Sequence, residues 1–150
     1  MVNDIRVFVY TDHGSPNAQF GFSGTENSGI DLRAASAAWV MPLCRKLIRT
    51  GLYMAMPNGM EAQVRPRSGQ ALKRGLTVLN TPGTVDAGYR GEVCVIVYNT
   101  SLLPRRIKAG ERIAQLVFMP VLFPEVIHVE SSSELPPSNR GTGGFGSTGR

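Results

Sequence analysis

EVCVIVY, residues 92–98, is the stretch on which the fold turns. Successive side chains of an extended chain point to opposite sides, so Val93, Val95 and Val97 share one face and Cys94, Ile96 and Tyr98 the other. Both faces are apolar, and the run is rich in β-branched residues that pack well on a pleated surface. A strand of this kind is covered on both sides. The core covers one face, and the expectation for the other is a second subunit.

Working outward, short β-rich runs recur along the chain: IRVFVY (5–10), LYMAM (52–56), EAQVR (61–65), RIAQLVFM (112–119) and VLFPEVIHV (121–129). Turn signals separate them, among them PNG (57–59), NTPG (80–83), DAGYRG (86–91) and KAG (108–110). Ten prolines are scattered through the 150 residues, and no long segment keeps an apolar period of 3.6, which excludes a helical protein. SGQALKRG (68–75) is the one helix candidate, with Ser68 placed to cap it and Gly75 to stop it. The expected fold is all-β, a distorted, jelly-roll-like barrel with one short helix.

The bulk numbers bound the rest. A chain of 150 residues fits one domain with a real core, and 42% hydrophobic against 18% charged residues excludes wholesale disorder. Sixteen Lys and Arg against eleven Asp and Glu leave +5, which favours an anionic partner. The basic residues gather in RPRSGQALKR (65–74) and LPRRIKAGER (103–112) without the interleaved aromatics of a single-strand binder, so no nucleic acid is expected. Cys44 and Cys94 lie fifty residues apart with no CxxC, which suggests two reduced, mostly buried thiols rather than a zinc site or disulfide framework. No charged leader precedes an apolar run and no stretch approaches eighteen apolar residues, so a cytoplasmic protein without membrane contact is expected.

Phosphate-loop, HExxH and GxSxG motifs are absent, and His13 and His128 stand alone, each fitting a solvated side chain. Present instead are five short polar blocks at strand ends and turns: SGIDLRA (28–34), RPRSG (65–69), LNTPGTVDAGYRG (79–91), GERIAQLVF (110–118) and RGTGGFGSTG (140–149). Their order and spacing closely resemble the five motifs of the trimeric dUTPases, from Ser28 to Gly149. The resemblance implies hydrolysis of dUTP to dUMP and pyrophosphate, which lowers dUTP and supplies dUMP for dTMP synthesis.

It also implies roles for particular residues. Asp86, in a tight turn, matches the general base that activates water for attack on the α-phosphorus; a positioned base contributes about 10²–10⁴-fold. Tyr89 matches the ring that packs on deoxyribose and excludes a 2′-OH. Asn80 matches a residue at the uracil edge, with Thr84 and Val85 of the same hairpin also lining the substrate. Hairpin N–H and C=O groups can match uracil, whereas cytosine would leave buried groups unsatisfied at about 1–3 kcal/mol each. Arg67, Ser68 and Gly69 suit phosphate oxygens. Gln115, polar in an otherwise apolar strand, is explained by contact with the phosphate chain. Asp31 matches an aspartate that reaches the metal through water, and Mg²⁺ fits because it keeps its waters and binds mainly through substrate phosphates. The family further implies a homotrimer with sites at subunit interfaces. One position departs: Gln70 stands where the family usually places an apolar residue, often leucine.

The terminal RGTGGFGSTGR (140–150) cannot order on its own account. Fixing ten backbones costs on the order of 10–20 kcal/mol, and burying one Phe returns about 1.5–3 kcal/mol. By resemblance it is a lid over the ligand: Arg140 pairs with phosphate, Phe145 stacks on uracil, and Gly146, Ser147 and Thr148 cradle the far phosphates. Residues 1–130 are then the barrel and 131–150 the linker and lid. Two alternatives stay open. A dCTP deaminase of the same superfamily would carry a glutamate where Arg90 stands, and a non-catalytic basic barrel would bind a partner without turnover.

Overall fold

The computed structural model describes residues 5–139 and 141–143. Eleven short strands are described: β1 (Phe8–Thr11), β2 (Ile30–Arg33), β3 (Ala38–Val40), β4 (Arg45–Ile48), β5 (Leu52–Ala55), β6 (Met60–Arg65), β7 (Leu76–Val78), β8 (Gly83–Asp86), β9 (Val95–Asn99), β10 (Arg105–Ile107) and β11 (Arg112–Pro120). The helix α1 (Ser68–Arg74) follows β6. All pairings are antiparallel, in sheets ordered β2–β11–β6–β8, β4–β9–β7, β1–β5 and β10–β3. The expected all-β class with one short helix is what the chain adopts. Among the described residues no helix is long and apolar enough to cross a membrane.

The core lies between the sheets and follows the period-two pattern. Val93, Val95 and Val97 are buried with Leu32, Val40, Leu52, Ala62, Val64, Val78, Ile107 and Leu116. Cys94, Ile96 and Tyr98 on the opposite face are half-buried within the single chain. The regular strand begins at Val95, three residues later than the sequence pattern starts. The reason is local. The Glu92 carboxylate accepts the backbone N–H groups of Thr50 (3.0 Å) and Gly51 (2.7 Å), and Val93 N–H donates to Leu52 O (2.8 Å), so residues 92–94 are tied to the β4–β5 turn.

In β6, Ala62 and Val64 turn inward while Glu61, Gln63 and Arg65 turn outward. In β11 a register shift between Arg112 and Ala114 lets Ile113 and Ala114 both be buried, as a bulge does by placing two residues opposite one.

Three sequence expectations are corrected. Residues 121–129 form no strand: β11 ends at Pro120, and among the described residues beyond it only Val121 N–H meets the barrel backbone, at Gly59 O (3.0 Å). The segment runs exposed, with Leu122, Phe123, Val126 and Ile127 uncovered, because no neighbouring strand is offered to it among the described residues. Ser68 does not cap α1, since Arg67 is the N-cap residue and no side-chain cap bond forms. Gly75 does stop the helix, at φ 65°, where a Cβ would crowd Thr100 Oγ1 at 2.9 Å. The thiols of Cys44 and Cys94 are both free, but Cys44 is exposed rather than buried, standing at a surface turn before β4.

Candidate active site

The polar blocks gather in two separate recesses. The larger, of about 790 Å³, takes Asp31 from β2, Arg67, Ser68 and Gly69 from the turn into α1, and Gln115 from β11. Its remaining wall includes the 16–21 segment, Arg33 and Gly110. The smaller, of about 320 Å³, takes Asn80, Thr84, Val85, Asp86 and Tyr89, with Leu47, Val93, Cys94 and Ile96 beneath them. No residue lines both.

The large recess is knit by charge. Asp31 Oδ1 meets Arg67 Nε at 2.8 Å, and its Oδ2 meets Arg112 Nη1 at 3.4 Å. One carboxylate therefore aims the guanidinium of Arg67 and ties β2 to β11. Arg33 Nη1 donates to Gly110 O (2.9 Å), closing the far side. Gln115 Nε2 donates to Pro66 O (2.9 Å), so the polar side chain in β11 holds the turn that carries Arg67. At Gly29 any Cβ would overlap Gln115 Oε1, and the glycine is what lets that side chain lie across β2. Ser68 is exposed, with its hydroxyl outside any cap bond.

The sequence held no signal for the 16–21 wall. Asn17 is 97% buried, donates from Nδ2 to Arg33 O (2.9 Å) and Thr50 O (2.8 Å), and accepts from Arg33 N–H at Oδ1 (3.0 Å). A buried amide with all its partners is a structural clamp. Nothing in PNAQF distinguishes it from a loop asparagine, because the partners lie 16 and 33 residues away.

The small recess is built by one hairpin. Gly83 is buried and allows the Asn80 side chain to lie close: a Cβ there would stand 3.0 Å from Asn80 Nδ2. Asp86 is exposed at the end of β8, directly opposite Glu61 of β6. Tyr89 N–H donates to Asp86 O (3.0 Å), closing the turn, and Tyr89 Oη donates to Glu92 O (3.0 Å), folding the ring over Gly91, where a Cβ would collide with it. Burial alone would push the Glu92 carboxyl up; the Gly51 N–H, the Arg49 guanidinium and the Thr50 N–H outweigh it and hold it below the ordinary glutamate value.

The two recesses do not merge within one chain. In the order β2–β11–β6–β8, Asp31 and Asp86 stand on opposite edge strands. Three interstrand steps separate them laterally by about 14 Å. Arg140, Phe145, Gly146, Ser147 and Thr148 lie outside the described residues. Among the described residues no three His, Cys, Asp or Glu side chains converge as a metal cage. Among the described residues Asp31 is the one acidic side chain on the wall of the large recess.

The dUTPase family model matches residues 20–149. The deoxyuridine 5′-triphosphate nucleotidohydrolase of Picosynechococcus sp. is 50% identical over 123 residues, covering 82% of this chain and 84% of that protein. The enzyme of the same name from Nautilia profundicola is 51% identical over 125 residues, covering 83% and 86%. Among solved structures, a variant of the Staphylococcus bacteriophage 80alpha dUTPase with dUpNHpp superposes with a TM-score of 0.86 at 26% identity, covering 97% of this chain and 99% of that one. A mutant of the dUTPase of phage phi11 of S. aureus, whose structure reveals the coordination of a structural Mg(II) ion, shares the fold at 22% identity and a TM-score of 0.76, covering 84% of this chain and 97% of that one. With the family model spanning four-fifths of its length and more, and relatives at half identity over most of theirs, the chain belongs to the dUTPase family.

Proposed function

We propose that the protein hydrolyses dUTP to dUMP and pyrophosphate at sites shared between the subunits of a homotrimer. The observation that carries the shared site is the division of the motif residues of one chain between two recesses with no common wall. A large recess from one subunit facing a small recess from another would restore one nucleotide site. The half-buried face of Cys94, Ile96 and Tyr98, with exposed Leu47 beside it, suits cover by a neighbour. Residues 121–139 leave the barrel along an exposed path, and on this reading they carry the lid of residues 140–150 to a third subunit.

In the assembled site the hairpin of residues 79–91 holds the nucleoside. Its backbone presents fixed donors and acceptors to uracil, with Asn80, Thr84 and Val85 around the base, and Tyr89 lies against the sugar and leaves no room for a 2′-OH. Arg67, aimed by Asp31, and the Ser68 hydroxyl with the Gly69 backbone take the phosphates. Asp86 orients a water and accepts its proton as the new oxygen–phosphorus bond forms at the α-phosphorus. The bond from that phosphorus to the bridging oxygen breaks, and pyrophosphate leaves. From the lid, Phe145 stacks on the base, and Arg140, Gly146, Ser147 and Thr148 close over the phosphates.

A divalent ion that travels with the triphosphate needs little from the protein, and a single carboxylate without a cage is what the donor set offers. Asp31 would hold the water shell of Mg²⁺, and when bound the ion neutralises phosphate charge. Two free thiols suit a reducing cytoplasm. Deamination of dCTP is disfavoured because Arg90 stands where that branch needs its glutamate; the Arg90 guanidinium is spent on the carbonyls of Ala87 (2.6 Å) and Tyr89 (2.8 Å).

Pyrophosphate release with dUTP, dCTP, dTTP and UTP, with and without Mg²⁺, tests the assignment. The expected result is Mg²⁺-stimulated release from dUTP alone. Ammonia release from dCTP, or DNA binding with no turnover of any nucleotide, would overturn it.

A further inference from the structure

The turn Arg67–Ser68–Gly69 is fastened to β11 on both sides. Upstream, Gln115 Nε2 donates to Pro66 O (2.9 Å). Downstream, Gln70 Nε2 donates to Arg112 O (2.9 Å) and to Glu111 Oε1 (2.9 Å), while its own Oε1 accepts from Arg74 Nη1 (3.2 Å). Both N–H groups and the carbonyl of the Gln70 amide are thus used. Glu111 is held in turn: its Oε2 accepts the Lys108 N–H (2.9 Å), and its Oε1 forms an ion pair with Arg74, which also donates to Arg106 O (2.5 Å). Two side-chain amides therefore bracket three residues and anchor them to one strand at Arg112 and Gln115.

The bracket matters because the other anchors of α1, Arg74 and the Thr100 bonds to Gly75 O, hold its C-terminal end and not its first turn. None of its seven residues is buried and no side chain caps its N-terminus. Such a short helix is not stable by itself, so the position of Ser68 and Gly69 depends on the contacts made by the flanking side chains. An apolar residue at position 70 could fill the same space but could not bond the backbone of β11 or the carboxylate of Glu111.

We propose that Gln70 is a positioning residue for the phosphate-binding turn, acting through Arg112 and Glu111 rather than by touching substrate. This rests on the assignment of phosphates to the large recess. Gln70→Met keeps the side chain's length and removes its hydrogen bonds; Gln70→Leu serves as a second variant if the first folds poorly.

Two readouts on the full-length protein separate the possibilities. In the free protein, hydrogen exchange of amides 67–71 is expected to speed up about fivefold or more in the variant, with the 80–90 hairpin unchanged. In binding, the affinity for dUpNHpp is expected to fall about three- to thirtyfold while that for dUMP changes less than about twofold, since a loosened turn costs the distal phosphates most. Unchanged exchange would overturn the proposal. So would faster exchange with unaltered dUpNHpp affinity, or equal weakening of dUpNHpp and dUMP, which marks a general loss of structure. A parent protein that does not turn over dUTP would instead overturn the assignment of the recess, and the exchange measurement would still decide whether Gln70 fastens the turn.

Discussion

The two recesses are built on opposite plans. The large one is assembled from four distant pieces of chain, the 16–21 segment, β2, the 66–70 turn and β11, and ion pairs and buried amides lock them together. The small one comes largely from a single hairpin of residues 80–92, closed by Tyr89, with its carboxylate at Asp86 standing open. On the proposed assignment, the charged triphosphate needs several cations and donors preset against it, which only long-range packing can hold. A nucleobase and sugar need a narrow slot with a few backbone groups, which one tight turn can supply.

Replacing Asp86, the proposed base, is expected to give the largest effect. Asp86→Asn should lower kcat about 10²–10⁴-fold while leaving dUpNHpp affinity within a few-fold. Steady-state turnover and titration calorimetry check it, and a kcat within threefold of the parent would remove Asp86 from the chemistry.

Mixing tests the division itself. Asp86→Asn and Arg67→Ala chains, each inactive alone, should on co-assembly regain up to about a quarter of parental activity if the two recesses meet across subunits. If each chain completes its own site, co-assembly restores nothing.

Within the small recess, Tyr89→Ala should relax discrimination between dUTP and UTP by about ten- to a hundredfold, read as the ratio of kcat/KM values. An unchanged ratio would mean that the sugar is sorted elsewhere.

The smallest effect concerns what holds that recess from behind. Glu92 and Glu111 both lie below the ordinary glutamate value of 4.5 in the folded protein: burial opposes the charge, and in each case hydrogen bonds and a guanidinium overcome it. Their stabilisation is therefore present above 4.5 and is lost as pH falls through their folded values. Glu92→Gln should cost about 1–2 kcal/mol at neutral pH and flatten the fall in Tm below pH 4.5. A parallel fall in parent and variant would show that Glu92 contributes nothing to acid sensitivity.

Much of this was legible from residues alone, and the exceptions are specific. EVCVIVY announced a strand with one face in the core, and Val93, Val95 and Val97 are there; its start was misplaced because Glu92 bonds to a turn more than forty residues earlier. VLFPEVIHV has the composition of a strand but no strand partner among the described residues, and propensity without a partner makes none. Gln115 stands out in the sequence as a polar residue in an apolar strand, but its bond from Nε2 to Pro66 O is set by a turn 49 residues away. Gln70 departs from the family's motif in the sequence, and only the fold shows that it joins the helix to the β10–β11 turn.

By itself the sequence determined the strand periodicity, the turns, and the chemical types at the motif positions, because each is set within a few residues by backbone geometry and side-chain identity. Only the tertiary structure decided that Asp31 aims Arg67 and clasps Arg112 across 81 residues, that Asn17 clamps a wall, and that Asp86 stands apart from Arg67 and Ser68 within one chain. The physical reason is that hydrogen bonds and ion pairs act over about 3 Å in space. Which distant residues come that close is set by how the sheets pack, not by spacing along the chain.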